Sequence, residues 1–162
     1  MANALRNSKP FQMSRYPAIS IGIAALDARL KDRAENDLTI GKDRPVAGGK
    51  LLLTRYHNHG AALNLGQHTP KIMQGISVVF TILIAVVFVL TLGKKGNHLL
   101  KLGLSLLLGG AFSNTYDRLS KGYVVDYFRI GARNPKIRRV IFNISDFAIM
   151  IGALLTVISQ NA

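Results

Sequence analysis

The sequence contains no cysteine and no tryptophan, and only 8 of its 162 residues are acidic. The missing cysteine excludes disulfide frameworks, Cys-ligated zinc, iron–sulfur clusters and thiol nucleophiles together. The missing tryptophan leaves interfacial anchoring to five tyrosines and the many lysines and arginines. Glu35 is the single glutamate, so no His-Glu-x-x-His zinc helix exists. Ser105, in Gly103-Leu104-Ser105-Leu106, lacks the following glycine that a nucleophile elbow requires. His57, His59 and His68 have no carboxylate at ligand spacing, so no metal site is expected. No internal repeat and no low-complexity tract is visible.

What the chain does have is grease and positive charge, kept apart. Lysine and arginine number 21, giving a net charge of +13, yet 49% of residues are hydrophobic. Mean hydropathy is +0.24. A soluble nucleic-acid binder is polar throughout, so this combination points to a multi-pass membrane protein of one domain, without a nucleic-acid partner. Ile72–Gly93 carries no charge for 22 residues, enough at ~1.5 Å per residue to cross a ~30 Å hydrocarbon core. Leu102–Tyr116 is charge-free for 15 residues and reaches spanning length if Lys101 snorkels. From Val140 to Ala162 the only charge is Asp146. Tyr16–Leu26 is a shorter run of 11 residues. No clean small-x-small cleavage site precedes the charges after it, so a short, tilted first span is expected rather than a cleaved signal peptide.

Between the first two spans the chain is polar, with Gly41, Pro45, Gly48, Gly49 and Gly60 as punctuation. Leu38–Ile40, Leu51–Tyr56 and Tyr123–Val125 read as strand fragments. Arg129, Arg133, Arg138 and Arg139 read as a solvated or lipid-facing stretch.

Carboxylates in spanning segments carry the chemistry. Asp146 lies about six residues inside the last apolar run, where a charge costs ~2.5–3.5 kcal/mol and marks function. Asn143, three residues earlier, shares its helical face. Asn114 and Asp117 repeat that spacing at the end of the preceding span, next to Arg118, and Asp126 follows after a short loop. The Asp117–Arg118 neighbours also fit a plain interfacial ion pair. Two carboxylates across a partly dry cleft cannot both ionise cheaply, so they share a proton. One then activates water while the other protonates a carbonyl, the arrangement of an aspartic protease. A transporter's proton relay uses similar carboxylates, and a non-enzymatic carrier or lipopeptide binder is the alternative.

Three segments go further: Gly109-Gly110-Ala111-Phe112-Ser113-Asn114-Thr115-Tyr116-Asp117-Arg118, Gly122-Tyr123-Val124-Val125-Asp126-Tyr127-Phe128, and Phe142-Asn143-Ile144-Ser145-Asp146. In this order they resemble the motifs of the lipoprotein signal peptidase (signal peptidase II) family. Asn58-His59-Gly60-Ala61-Ala62 is similar to its N-x-G-A-A segment, and Leu26-Asp27 with Lys31 to its first-span motif.

The resemblance implies an aspartic endopeptidase of the bacterial inner membrane that cuts diacylglyceryl-modified prolipoproteins just before the lipidated cysteine. Asp126 and Asp146 match the catalytic pair by motif position. Asp27, Asn58, Asn114, Asp117, Arg118 and Asn143 match polar residues that line or support the site. The implied fold is an all-α membrane protein, a four-helix transmembrane bundle with a small extracytoplasmic β-rich cradle. As one domain over 1–162, its spans fall at about 16–30, 72–93, 99–116 and 140–160, and the extramembrane lobe at about 32–70. No cofactor or metal is expected; membrane phospholipid is the expected surrounding partner, and the chain is expected to act as a monomer.

The chain departs from the family pattern in places. Ser145 stands where alanine is usual, Tyr127 where phenylalanine is, Ala28 where glutamine is, and Leu63 where an aromatic residue commonly follows. Charge also opposes topology. The cytoplasmic side would hold 6 lysines and arginines (3 before Tyr16, then Lys94, Lys95 and Lys101), and the outer side 15 (8 in 27–71 and 7 in 117–139). The positive-inside rule favours the reverse; the motifs favour the first arrangement, with the outer charge facing anionic headgroups.

Overall fold

A computed structural model of the chain describes residues 9–60 and 65–160, with side chains from Arg15 onward. Four long helices dominate: α1 (Lys9–Asp37), α2 (Pro70–Leu92), α3 (His98–Ser120) and α5 (Ile144–Ile158). Between α1 and α2 lie β1 (Arg44–Val46), a 3-10 turn (Ala47–Gly49) and β2 (Leu51–Asn58). Between α3 and α5 lie β3 (Val124–Ile130) and the single turn α4 (Pro135–Arg138). The strands form one antiparallel sheet in the order β1-β2-β3.

Helix α3 is the hub, packed against α1, α2 and α5. Its sequence explains why. Small residues recur along it, and at Gly103 and Gly110 the backbone of α5 comes too close for a side chain. A Cβ at Gly110 would stand 2.5 Å from the Ser145 carbonyl oxygen, and one at Gly152 of α5 would stand 2.6 Å from the Gly103 carbonyl. Such close packing of small residues is how helices associate where no hydrophobic effect drives them together.

Helix α2 answers the longest apolar run. It is long and apolar enough to cross a bilayer, with a mean hydropathy of 2.8 over its best stretch. It turns Phe80, Val89 and Leu90 outward, each more than 60% exposed. A continuous apolar face of this kind needs lipid or another protein against it.

Elsewhere the boundaries differ from the expectation. Helix α1 does not stop near residue 30 but runs to Asp37, so the lobe expected from residue 32 begins inside it. Counting apolar residues ends a span at the first charges, whereas Asp27 and Lys31 are buried inside the bundle. Helix α5 starts at Ile144, not at 140, because Phe142 is held extended against β3. The Phe142 N–H donates to the Phe128 carbonyl at 2.7 Å, and the Phe142 carbonyl accepts from Tyr127 and Phe128 N–H at 3.0 and 3.1 Å. Leu51–Tyr56 lies in β2 and Tyr123–Val125 overlaps the start of β3; Leu38–Ile40 contributes only one bridge, Ile40 to Arg55.

The α3–α5 contact sets where the first turn of α5 sits. Gly110→Ala is therefore expected to destabilise the protein by about 1–3 kcal/mol, read as a lower midpoint of thermal unfolding in detergent.

Candidate active site

Strand β3 and helix α5 bring Asp126 and Asp146 to one cleft. Successive strand residues point to opposite faces, so Asp126 turns one way while Val125 and Tyr127 turn the other, into a cluster with Ala34. Asp126 pairs across the ladder with Tyr56, and Asn58 pairs with Val124. That register makes Asn58 a diagonal neighbour on the Asp126 face. Its amide donates to Asp126 Oδ2 at 3.0 Å, and its own Oδ1 accepts the Gly60 N–H at 3.0 Å.

Asp146 is not deep within a helix, as counting along the apolar run suggests. It occupies the third position of α5, in a capping box with Asn143. The Asp146 N–H donates to Asn143 Oδ1 at 2.9 Å, and Asp146 Oδ2 accepts the Asn143 N–H at 3.0 Å. This reciprocal pair satisfies two N–H groups that a helix start leaves free. The fully buried Asn143 also sends its amide to Asp126 Oδ1, at 2.7 Å. One asparagine thus holds both carboxylates, by backbone on one side and side chain on the other. Asn114 completes the set, donating to Asp146 Oδ1 at 3.0 Å and accepting from Asn143 at 3.3 Å. Each of the four carboxylate oxygens takes one N–H.

The cleft has a volume of about 470 Å³. Asn58, Asn114, Arg118, Asp126 and Asp146 line it, with Val140, Ile141, Phe142, Ile149 and Met150 as its apolar part and Arg139 at its edge. Arg118 is not paired with its neighbour Asp117; adjacent helical residues diverge, and its guanidinium donates to the Gly60 and Asn114 carbonyls at 2.8 and 3.4 Å. A larger cavity of about 950 Å³ between α1, α2 and α3 is mostly apolar, with Asp32, Asp117 and Lys121 among its lining, and contains neither Asp126 nor Asp146.

Asp27 and Asp117 lie outside the cleft. Both hold Lys31, an ammonium only 1% exposed, at 2.7 and 3.0 Å. Lys31 also donates to Ser113 Oγ at 3.1 Å and to Asn114 Oδ1 at 2.9 Å. Asp117 further takes Lys121 at 3.1 Å and the Val125 N–H at 3.2 Å. Sequence reasoning left Lys31 out of the site, although its position four residues after Asp27 on one helix was the available signal. Ala61 and Ala62 lie outside the described residues. His57 bonds Glu35 at 3.0 Å and stacks on the Tyr123 ring at 4.0 Å, and His59 meets the same ring edge-on.

Burial, and after it the nearby Asp146 carboxylate, pushes the Asp126 carboxyl up to about 7; the Asn58 and Asn143 amides pull only partly the other way. The folded protein therefore binds a proton at Asp126 more tightly than the unfolded chain does. The sign follows from linkage: stability falls as pH rises from the ordinary value of 3.8 towards about 7, and levels off above it. Asp126→Asn is expected to lose that part of the pH dependence. Thermal midpoints of both proteins across pH 4–9 check it.

Comparisons with known proteins bear on the family of the chain. A family model described as signal peptidase (SPase) II matches residues 19–161. The lipoprotein signal peptidase of Shouchella clausii (strain KSM-K16) is 35% identical over 146 residues, covering 88% of this chain and 91% of that protein. That of Moorella thermoacetica (strain ATCC 39073 / JCM 9320) is 31% identical over 139 residues, covering 85% and 86%. Two solved structures, each described as a bacterial membrane enzyme, superpose with TM-scores of 0.76 and 0.73 at 27% and 25% identity. Both alignments cover 91% of this chain, and 87% and 92% of the respective structures.

Proposed function

The chain belongs to the signal peptidase II family, and we propose that Asp126 and Asp146 are the pair with which it cuts the signal peptide from diacylglyceryl-modified prolipoproteins. The observation that carries this reading is the single asparagine, Asn143, bonded to both carboxylates inside a partly apolar cleft.

The arrangement supports a one-proton pair. Asp126 sits on a desolvated strand and keeps a proton up to about pH 7. Asp146 sits in the first turn of α5, where the helix dipole and the capping N–H groups favour negative charge. We assign the one proton of the resting pair to Asp126, which leaves the charge on Asp146. Asp146 takes a proton from water as its oxygen attacks the scissile carbonyl carbon, and Asp126 gives its proton to the carbonyl oxygen. The tetrahedral diol collapses when Asp146 returns its proton to the amide nitrogen and Asp126 recovers one from a diol hydroxyl. The C–N bond breaks, a carboxylic acid and an amine leave, and the pair again holds one proton. Asn58, Asn114 and Asn143 fix the four oxygens throughout, and Arg118 lends positive charge to the cleft wall.

In this reading α1, α2, α3 and α5 are four membrane spans of a single domain, the sheet is an extracytoplasmic cradle for the extended substrate, and the protein works as a monomer among phospholipids. Residues of the sheet, Tyr56, Asn58, Val124 and Asp126, form part of the cleft lining. Helices α1 and α3 are less apolar than α2, and α5 is only 15 residues long, but charges buried against one another need not face lipid. The exposed basic stretch of Arg133, Lys136, Arg138 and Arg139 lies beside the cleft and suits anionic headgroups.

The test is cleavage of a diacylglyceryl-modified prolipoprotein by purified protein in lipid. Wild type should cut before the lipidated cysteine, and Asp126→Asn and Asp146→Asn should each lose on the order of 10³-fold or more in kcat. Intact substrate with folded wild type would instead fit a carrier or a lipopeptide binder.

A further inference from the structure

Two departures from the family pattern meet at one atom group. Tyr127 directly follows Asp126, and Ser145 directly precedes Asp146. Both side chains turn away from the cleft and bond to the same buried carboxylate, Asp27 of α1. The Tyr127 hydroxyl donates to Asp27 Oδ1 at 3.0 Å, and the Ser145 hydroxyl to Asp27 Oδ2 at 2.6 Å. Ser113 of α3 adds a third donor at 2.7 Å, and Lys31 balances the charge. Asp27 is 0% exposed, so these bonds form without competition from water.

Tyr127 does more than donate. Its oxygen also accepts the Ile144 N–H at 2.9 Å. Ile144 opens α5, and its N–H is one of the four that a helix start leaves without an intrahelical partner. A single phenol oxygen therefore joins the strand that carries Asp126, the first turn of the helix that carries Asp146, and the carboxylate of α1. Phenylalanine in this place would keep the ring against Ala34 and Val125 but supply none of these bonds.

We propose that Tyr127, assisted by Ser145, is a positioning residue that sets the separation of Asp126 and Asp146 by fastening both neighbouring backbones to Asp27. The proposal rests on the peptidase reading of the pair. Neither hydroxyl touches the cleft, so neither contacts substrate; both act through the geometry of the two carboxylates. Loosening the link lets the start of α5 relax from β3, weakens the repulsion between the carboxylates, and loosens the hold on the shared proton.

The experiment measures kcat, KM and the pH–rate profile of wild type, Tyr127→Phe and Ser145→Ala on a diacylglyceryl-modified prolipoprotein, each corrected for folded fraction. Tyr127→Phe should lower kcat by about tenfold with KM changed less than about twofold, the pattern of an interaction that matters in the transition state. Its alkaline limb should move to lower pH. Ser145→Ala removes one of several donors to Asp27 and should act in the same direction by about threefold. Because that change is small, it carries the test if Tyr127→Phe does not fold. Wild-type kcat and an unmoved pH profile in the folded variants overturn the proposal. So does a rise in KM alone, which would place Tyr127 in substrate binding. A wild type that fails to cleave overturns the peptidase reading itself, and is told apart by needing no variant.

Discussion

A lysine ammonium buried among two carboxylates holds this molecule together. Lys31 has three protons and finds four acceptors: Asp27, Asp117, Ser113 and Asn114. Removing an ion from water costs several kcal/mol, so such a group persists only when its surroundings complete its bonds. Here they also tie α1 to α3 at the level of the cleft. The network enters that cleft at Asn114 Oδ1, which takes Lys31 on one side and Asn143 on the other. With its oxygen so fixed, the Asn114 amide has to face Asp146, and the cleft inherits its geometry from the charge cluster beneath it.

The same economy of parts appears in the pair itself. Asp126 comes from a strand and Asp146 from a helix, and two unlike elements have no intrinsic reason to hold a fixed distance. Phe142 solves this by pairing with Phe128 just before the chain turns into α5. Asn143 then closes the helix start and bridges both carboxylates. The glycines of α3 let α5 approach closely enough for the bridge to form. Packing, capping and polar satisfaction are here one construction; burial and the nearby Asp146 raise the proton affinity of Asp126 against the pull of its amide partners.

Much of this was legible in the sequence, and what was not has physical reasons. The isolated carboxylates at Asp126 and Asp146 stood out because apolar surroundings make unpaired charge expensive, and the two Asn-x-x-Asp spacings marked the amides that orient them. Asp27 and Asp117 carried the same signal but serve Lys31 instead, since helical spacing gives a residue's face and not its partner. The length of α1 was hidden because its charges look like the end of a span when their partners are unknown. The position of Asp146 at a helix start was hidden because Val140–Phe142 is as apolar as the helix after it, and only the pairing with β3 makes it extended. Strand β1, Arg44–Val46, has no alternating pattern and is held by its ladder to β2. The departures at Tyr127 and Ser145 have no meaning in the sequence alone, because their common partner, Asp27, is brought between them only by the fold.

The central claim is that Asp126 and Asp146 work as a pair holding one proton. The pH dependence of kcat/KM for wild-type cleavage of a lipid-modified prolipoprotein addresses it most directly. The account predicts a bell, falling on the acid side as the second carboxylate is protonated and on the alkaline side near about 7 as Asp126 loses its proton. A rate that is flat, or still rising above about pH 8, would mean that no shared proton is used, and would contradict it.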